Sequence, residues 1–280
     1  PMLADTLAEH DLAEKRRFLA ENPDARPLFF RLGHGMRDLV GSLSAVKPRE
    51  SLKVNRLELL AILGEGDDQS IKVRAEKAYR IAKEAGEMQN IRVDLLALPK
   101  VEFSRCLSAD EANPIMSMAR ERVAVLDPQS YWMDFLDAAK AKTVRLMDEI
   151  DPANIGEGDL AFNLRRLGYD EFGVKRGNGR RICAELIATS LLLQEDARRI
   201  GATPIILAKN RFSPRLMEFL AEKHGTGGRL LWLLGIAVGS RKTLEISETV
   251  RILKKHGVRE EPVAGIRDIR EKMGLYHASG

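Results

Sequence analysis

The chain has 280 residues, 44% of them hydrophobic and 31% charged, with 45 Lys and Arg against 41 Asp and Glu for a net charge of +4. That is enough apolar material for a core and too much for a disordered chain, and it excludes collagenous, mucin-like and disulfide-scaffold proteins. Aromatics make up only 5%, and the weight of Ala and Leu tilts the chain towards packed helices rather than a β-sandwich.

Apolar residues recur at helical spacing from Ala4 to Ala20, and Asn22-Pro23-Asp24 stops that helix. A second helix is expected over Pro27–Leu43, with Gly33 and Gly35 as weak points, and a third over Ser51–Leu63, ended by Gly64-Glu65-Gly66-Asp67-Asp68. The clearest helix of the first half is Ser70–Ala85. Ser70 is its expected cap, Ile71, Ala75, Ala78 and Ala82 form its stripe, and Gly86 ends it. Between 91 and 104 the period changes: Ile91-Arg92-Val93-Asp94-Leu95 alternates, and this is the strand candidate. A helix from Ser108 towards Val125 follows, with Asn113-Pro114 as a possible later start, then a long amphipathic helix over Ser130–Ile150.

Asp151-Pro152 and Gly156-Glu157-Gly158 mark the internal boundary. Beyond it we expect a short helix over Leu160–Leu167, a basic loop over 168–179, and a long helix from Arg180 to Ile200. A short apolar strand or connector is expected at Pro204–Ala208, a Ser213-Pro214 helix to His224, and two basic helices over Ser247–His256 and Val263–Met273. The fold class is therefore mainly α with at most a minor β element. It reads as two lobes, a near-neutral to acidic helical lobe over 1–150 and a basic helical lobe over 151–280.

The charge is unevenly divided. Residues 1–150 hold 23 Lys and Arg against 25 Asp and Glu, net −2, and residues 151–280 hold 22 against 16, net +6. Such asymmetry points to a polyanion partner for the second lobe. Its densest stretch is Val174-Lys175-Arg176-Gly177-Asn178-Gly179-Arg180-Arg181, with Arg165 and Arg166 upstream. Gly177, Asn178 and Gly179 tolerate positive φ, so their N–H groups would form an anion-binding nest at the start of a helix. The string Gly177-Asn178-Gly179-Arg180 is similar to the end of the motif of Fic-domain nucleotidyl transferases. That family's catalytic histidine position holds Phe172 here, its acidic position holds Arg176, and its second arginine is Cys183. Without a base or a metal ligand the chain is read as leaning away from an enzyme, and only the anion nest is retained.

Near the C-terminus Gly257, Val258, Val263 and Ile266 meet the spacings of a helix-turn-helix, which would make Arg267 and Arg270 further contacts to nucleic acid. The apolar run from Leu230 to Val238 includes Trp232, Leu233 and Ile236, a candidate protein–protein or self-assembly interface. The five histidines are scattered, so no metal site and no cofactor is expected. The longest uncharged apolar stretch, Leu230–Ser240, is well short of the roughly 20 residues a bilayer-spanning helix needs. Two cysteines and an acidic opening point to a cytoplasmic protein. The leading functional expectation is a non-enzymatic protein that grips the phosphates of DNA or RNA. The few aromatics argue against base stacking. A helical adaptor using 230–238 is the alternative.

Overall fold

The computed structural model describes residues 2–47, 55–129, 131–140, 148–170, 178–238 and 243–266. It is mainly α-helical, and among the described residues its strands form one four-stranded mixed sheet. The residues cluster into two compact units, Pro1–Ala109 with Pro114–Glu149, and Asp110–Asn113 with Ile150–Gly280.

The first unit runs α1 (Met2–Glu21), α2 (Arg26–Met36), β1 (Ser42–Val46), β2 (Arg56–Leu63), α3 (Asp68–Glu87), β3 (Arg92–Pro99), α4 (Lys100–Ser108), α5 (Pro114–Arg120), β4 (Arg122–Leu126) and α6 (Trp132–Lys140). The strand order is β3-β2-β1-β4. β2 and β3 are parallel, joined through α3, while β1 is antiparallel to both β2 and β4. One face of the sheet, with Leu43, Leu57, Leu59, Leu95 and Val123, packs against Phe18 of α1, Leu28, Leu32 and Met36 of α2, and the alanine stripe of α3. The other carries Leu60, Ile62, Leu96 and Leu98, and α4 and α5 lie beside it.

Burial on both faces explains why β2 was expected to be a helix. A strand covered on both sides needs no polar alternation, so Leu57–Leu63 reads as a continuous apolar run rich in helix-forming Leu and Ala. The expected helix over Ser51–Leu63 is therefore corrected to a strand, of which residues 51–54 lie outside the described set. The same pairing shortens α2: the chain leaves the helix after Met36, and Gly41 N–H donates to Ile62 O at 2.8 Å as β1 begins. Helix α3 starts earlier than expected, because Asp67 caps it by accepting from Ser70 N at 2.9 Å and Ser70 Oγ at 2.7 Å. Glycine matters at two places here. A Cβ on Gly35 would stand 3.0 Å from Ile81, so its absence lets α2 and α3 pack closely. A Cβ on Gly86 would meet Ile91 O at 2.5 Å, where the chain turns from α3 into β3.

The expected helix from Ser108 to Val125 divides into the segment Asp110–Asn113, α5 and β4, and Asn113-Pro114 is the true helix start. Of the expected helix over Ser130–Ile150, α6 covers Trp132–Lys140, and residues 141–147 lie outside the described set.

The second unit is helical: α7 (Glu157–Arg166), α8 (Ala184–Leu192), α9 (Ala197–Ile200), α10 (Thr203–Lys209), α11 (Pro214–Lys223), α12 (Gly227–Val238) and α13 (Leu244–Lys255). Helix α8 packs on α10 and α11, and α13 packs on α11 and α12. The expected long helix from Arg180 to Ile200 begins only at Ala184 and breaks after Leu192. Asp196, accepting from Arg198 N at 2.9 Å, caps the short α9 that follows. Pro204–Ala208 is not a strand but part of α10, with Pro204 in its first turn. Ser213-Pro214 opens α11 as expected, and the Ser213 hydroxyl caps it by accepting from Leu216 N at 3.3 Å.

Candidate functional site

The basic stretch is held against α7 by side chains that sequence inspection did not single out. Asn163, fully buried, donates to Arg180 O at 2.8 Å and accepts from Ile182 N at 3.0 Å. Asp159 accepts from Arg180 N at 2.8 Å. Ala112 N donates to Arg181 O at 2.8 Å, and Cys183 N donates to Ala112 O at 3.0 Å, so Asp110–Asn113 runs parallel to the stretch in a single β-bridge.

This changes the expected nest. Asn178 and Gly179 do not adopt positive φ, and the N–H groups of residues 180, 182 and 183 already have acceptors within the unit. Gly179 serves close approach instead, because a Cβ there would stand 2.7 Å from Phe162. Helix α8 begins four residues later than expected, and its first turn is buried and carries Glu185. A phosphate seat at that terminus is therefore not what the fold builds.

Residues 180–183 thus form a strap along α7, and the arginines around it play different parts. Arg166 Nη1 lies 3.1 Å from Glu111, its Nε donates to Asn163 Oδ1 at 3.1 Å, and Nη2 donates to Ile182 O. Arg166 thus works inside the unit. Arg165, one residue earlier, is exposed. Arg181 is exposed and faces the even more exposed Asp110 at 3.2 Å. Asn178 is exposed, and Gly179 and Arg180 are half-buried. Lys175, Arg176, Gly177, Arg267 and Arg270 lie outside the described residues.

Of the candidate interface residues, Leu233 is buried in the interior of the second unit, where it cannot meet a partner. Trp232 and Ile236, one turn apart on α12, are half-buried. The helix-turn-helix spacing is met only in part. Gly257 takes φ +75° after α13, and Val258 packs near Gly227, but residues 258–266 are not helical. Of the helix expected over Val263–Met273, residues 263–266 are not helical and 267–273 lie outside the described residues.

The first unit holds a charged cluster that was missed. On β2 and β3, Arg56 is in register with Arg92, and Glu58 with Asp94, on one face near the start of both strands. Asp94 is 1% exposed, and the guanidinium Nε atoms of Arg56 and Arg92 both reach it, the second at 3.1 Å. The alternation Arg56-Leu57-Glu58-Leu59 was the available signal, and it was outweighed by the apolar run behind it.

At the opposite end, ligands of open α/β sheets commonly sit beyond the carboxyl ends of parallel strands. Here the chain's own side chains occupy that end. Arg74 donates to Gly64 O at 2.9 Å and Glu65 O at 3.0 Å, so the acidic 63–68 turn already holds an internal cation. Gln129 and Tyr131 fill the space against Gly41. Lys100 pairs with Asp134 and lies 3.9 Å over the Tyr131 ring; burial holds its pKa below, and that of Tyr131 above, the ordinary value.

Among the described residues the second unit buries two carboxyls, Glu218, which lies 3.0 Å from His256 Nδ1, and Glu185. Burial pushes the Glu185 pKa up, against the Ser213 N–H that donates to it at 2.7 Å, and the charge of Glu111 adds to the rise. No family model, curated protein or solved structure matches the chain.

Proposed function

We propose that the protein is a two-lobed, non-enzymatic nucleic-acid-associated protein whose second lobe grips phosphates. The supporting observation is the strap itself. By tying residues 180–183 to α7 through Asn163 and Asp159, it fixes Arg180 and Arg181 on a unit whose sequence carries a net +6 over residues 151–280, or +4 once Asp110 and Glu111 of the same unit are counted, with Arg165 exposed on α7. In this reading Arg165 and Arg181 reach phosphate, while Arg166 holds the strap in place. Two buried cysteines that form no disulfide suit a reducing compartment such as the cytoplasm.

Binding to duplex DNA is expected to weaken with salt, with a log–log slope of about −0.9 per phosphate contact. The double variant Arg165→Ala/Arg181→Ala should lower both the affinity and the slope. Asp110→Asn, which frees Arg181 from its carboxylate, should strengthen binding. A fluorescence-anisotropy titration at two salt concentrations checks all three. Binding that is indifferent to salt, or unchanged in the double variant, rejects the reading.

The adaptor alternative keeps one observation in its favour, the half-exposed Trp232 and Ile236 side by side on α12. Sedimentation velocity decides it: a concentration-dependent oligomer that Trp232→Ala dissolves, with no retention of nucleic acid, supports the adaptor.

A further inference from the structure

Helix α2 of the first unit has two very different faces. Leu28, Phe29, Leu32 and Met36 point into the core. Phe30, Arg31 and His34, with Arg26 and Arg37 at the two ends, are exposed. Phe30 keeps 78% of its surface in water. A lone exposed apolar residue needs no explanation, but this ring is arranged. One turn along, the His34 ring stands 7° from parallel to it, with the centroids 6.5 Å apart. The two near-parallel rings make one exposed aromatic patch on which a base can stack. The Met88 side chain, 61% exposed, extends the apolar surface, with Arg31 Nη1 3.3 Å from its sulfur.

On α2 itself the charge has one sign, while Asp24, Asp38 and, beside Met88, Glu87 are exposed carboxylates around it. From Arg26 to Arg37 the chain contains three arginines and no carboxylate. Asp38 follows the helix, and on α3 Glu84 is met by Arg80 at 4.0 Å. Exposed rings flanked by guanidinium groups match a ligand that is flat, aromatic and strung on phosphates. Stacking of this kind tolerates any base, whereas a duplex keeps its bases stacked on each other and offers none.

We propose that the outer face of α2 binds single-stranded nucleic acid, with an unpaired base stacked on Phe30 and His34 and the neighbouring phosphates held by Arg26, Arg31 or Arg37. This goes beyond the phosphate grip assigned to the second unit and does not depend on it. The 5% aromatic content argued against a stacking platform; what decides is that one ring is exposed and paired.

The test titrates the full chain with a labelled oligothymidylate of about 12 nucleotides and with an abasic oligomer of equal length and charge. The wild type is expected to bind the base-bearing strand about tenfold more tightly. Phe30→Ala should abolish that preference and Phe30→Trp should keep it, both with unchanged melting temperature because the ring lies in water. Arg165→Ala/Arg181→Ala should weaken both oligomers by one common factor. Failure of the second-unit phosphate surface and failure of this site therefore give different patterns. The proposal is overturned by equal affinity for the two oligomers, by no binding of either, or by a preference that survives in Phe30→Ala. It also falls if Phe30→Ala instead turns an oligomer into a monomer in sedimentation velocity without altering oligonucleotide preference.

Discussion

Both units bury carboxyl groups, and two of them, Asp94 and Glu185, are handled in opposite ways. Asp94, on β3 of the first unit, lies under two guanidinium groups that converge from β2 and from its own strand. Glu185, at the first turn of α8 in the second unit, is met by one backbone N–H and by Cys183, with the charge of Glu111 opposing it. A charge removed from water must be paired or given up as a proton. The sheet supplies pairing, because parallel strands in register set cation beside cation and carboxyl beside carboxyl, one step apart. Around Glu185 the helical unit supplies only hydrogen-bond donors, and Glu185 shifts towards the neutral acid.

The largest expected effect tests the pairing. Asp94→Asn leaves Arg56 and Arg92 without their carboxylate and should destabilise the first unit by about 2 kcal/mol, measured by urea unfolding. That is below the cost of breaking a fully buried pair because the two arginines keep 36% and 52% of their side-chain surface in water. A loss under about 0.5 kcal/mol would mean that the cluster holds little of the sheet together.

A second contrast uses two tight glycines. Gly86→Ala drives a methyl group against Ile91 O at 2.5 Å, a backbone atom that cannot swing aside. It should cost about 2 kcal/mol. Gly66→Ala meets only the guanidinium tip of Arg74, at 2.6 Å, the far end of a flexible side chain that can shift, and should cost about 1 kcal/mol or less. Equal losses in thermal melts would break the contrast.

Glu185 supplies the pH dependence. Its folded pKa is raised, so above the ordinary glutamic-acid range the folded chain binds more protons than the unfolded chain, and stability falls as pH climbs towards the folded value. Glu185→Gln, neutral at every pH, should remove a slope of up to about 1.4 kcal/mol per pH unit over that window. Glu14 and Glu157 run the other way. Lys47 and Arg199 hold their pKa values down, so the stability they contribute is present above the ordinary range and lost on acidification. Stability curves of wild type and Glu185→Gln that stay parallel from pH 4 to 8 would contradict the assignment.

The smallest effect lies on the surface. Arg199 grips Glu157 through both oxygens at 2.6 and 2.8 Å, but the Glu157 side chain is 74% exposed. Glu157→Gln should cost about 0.5 kcal/mol, and half-molar salt should erase most of the difference.

Much of the second unit was legible in the sequence. Ser213-Pro214 opens α11, the apolar run from Leu230 makes most of α12, and a glycine with positive φ follows both α11 and α13. Asn163 was not legible. An asparagine amid Phe162-Asn163-Leu164 carries no mark of a residue that will join four partners, since those partners are 3 to 19 residues away. For the same reason the basic stretch was read as a loop with free N–H groups. In the first unit the alternation at 91–95 identified β3, while β2 was hidden by its own burial.

The sequence by itself determined the elements whose forces are local. Helix stripes, starts such as Ser213-Pro214 and the stop at Asn22-Pro23 act within one or two turns of chain, so their residues declare them. Tertiary structure alone decided which apolar runs became strands, which carboxyl found cations, and that Asp110–Asn113 belongs with the unit beginning at Ile150. It also decided that Phe30 faces water while Phe29 enters the core. Two adjacent phenylalanines are equivalent in composition, and only the packing of α2 on the sheet and α3 tells them apart.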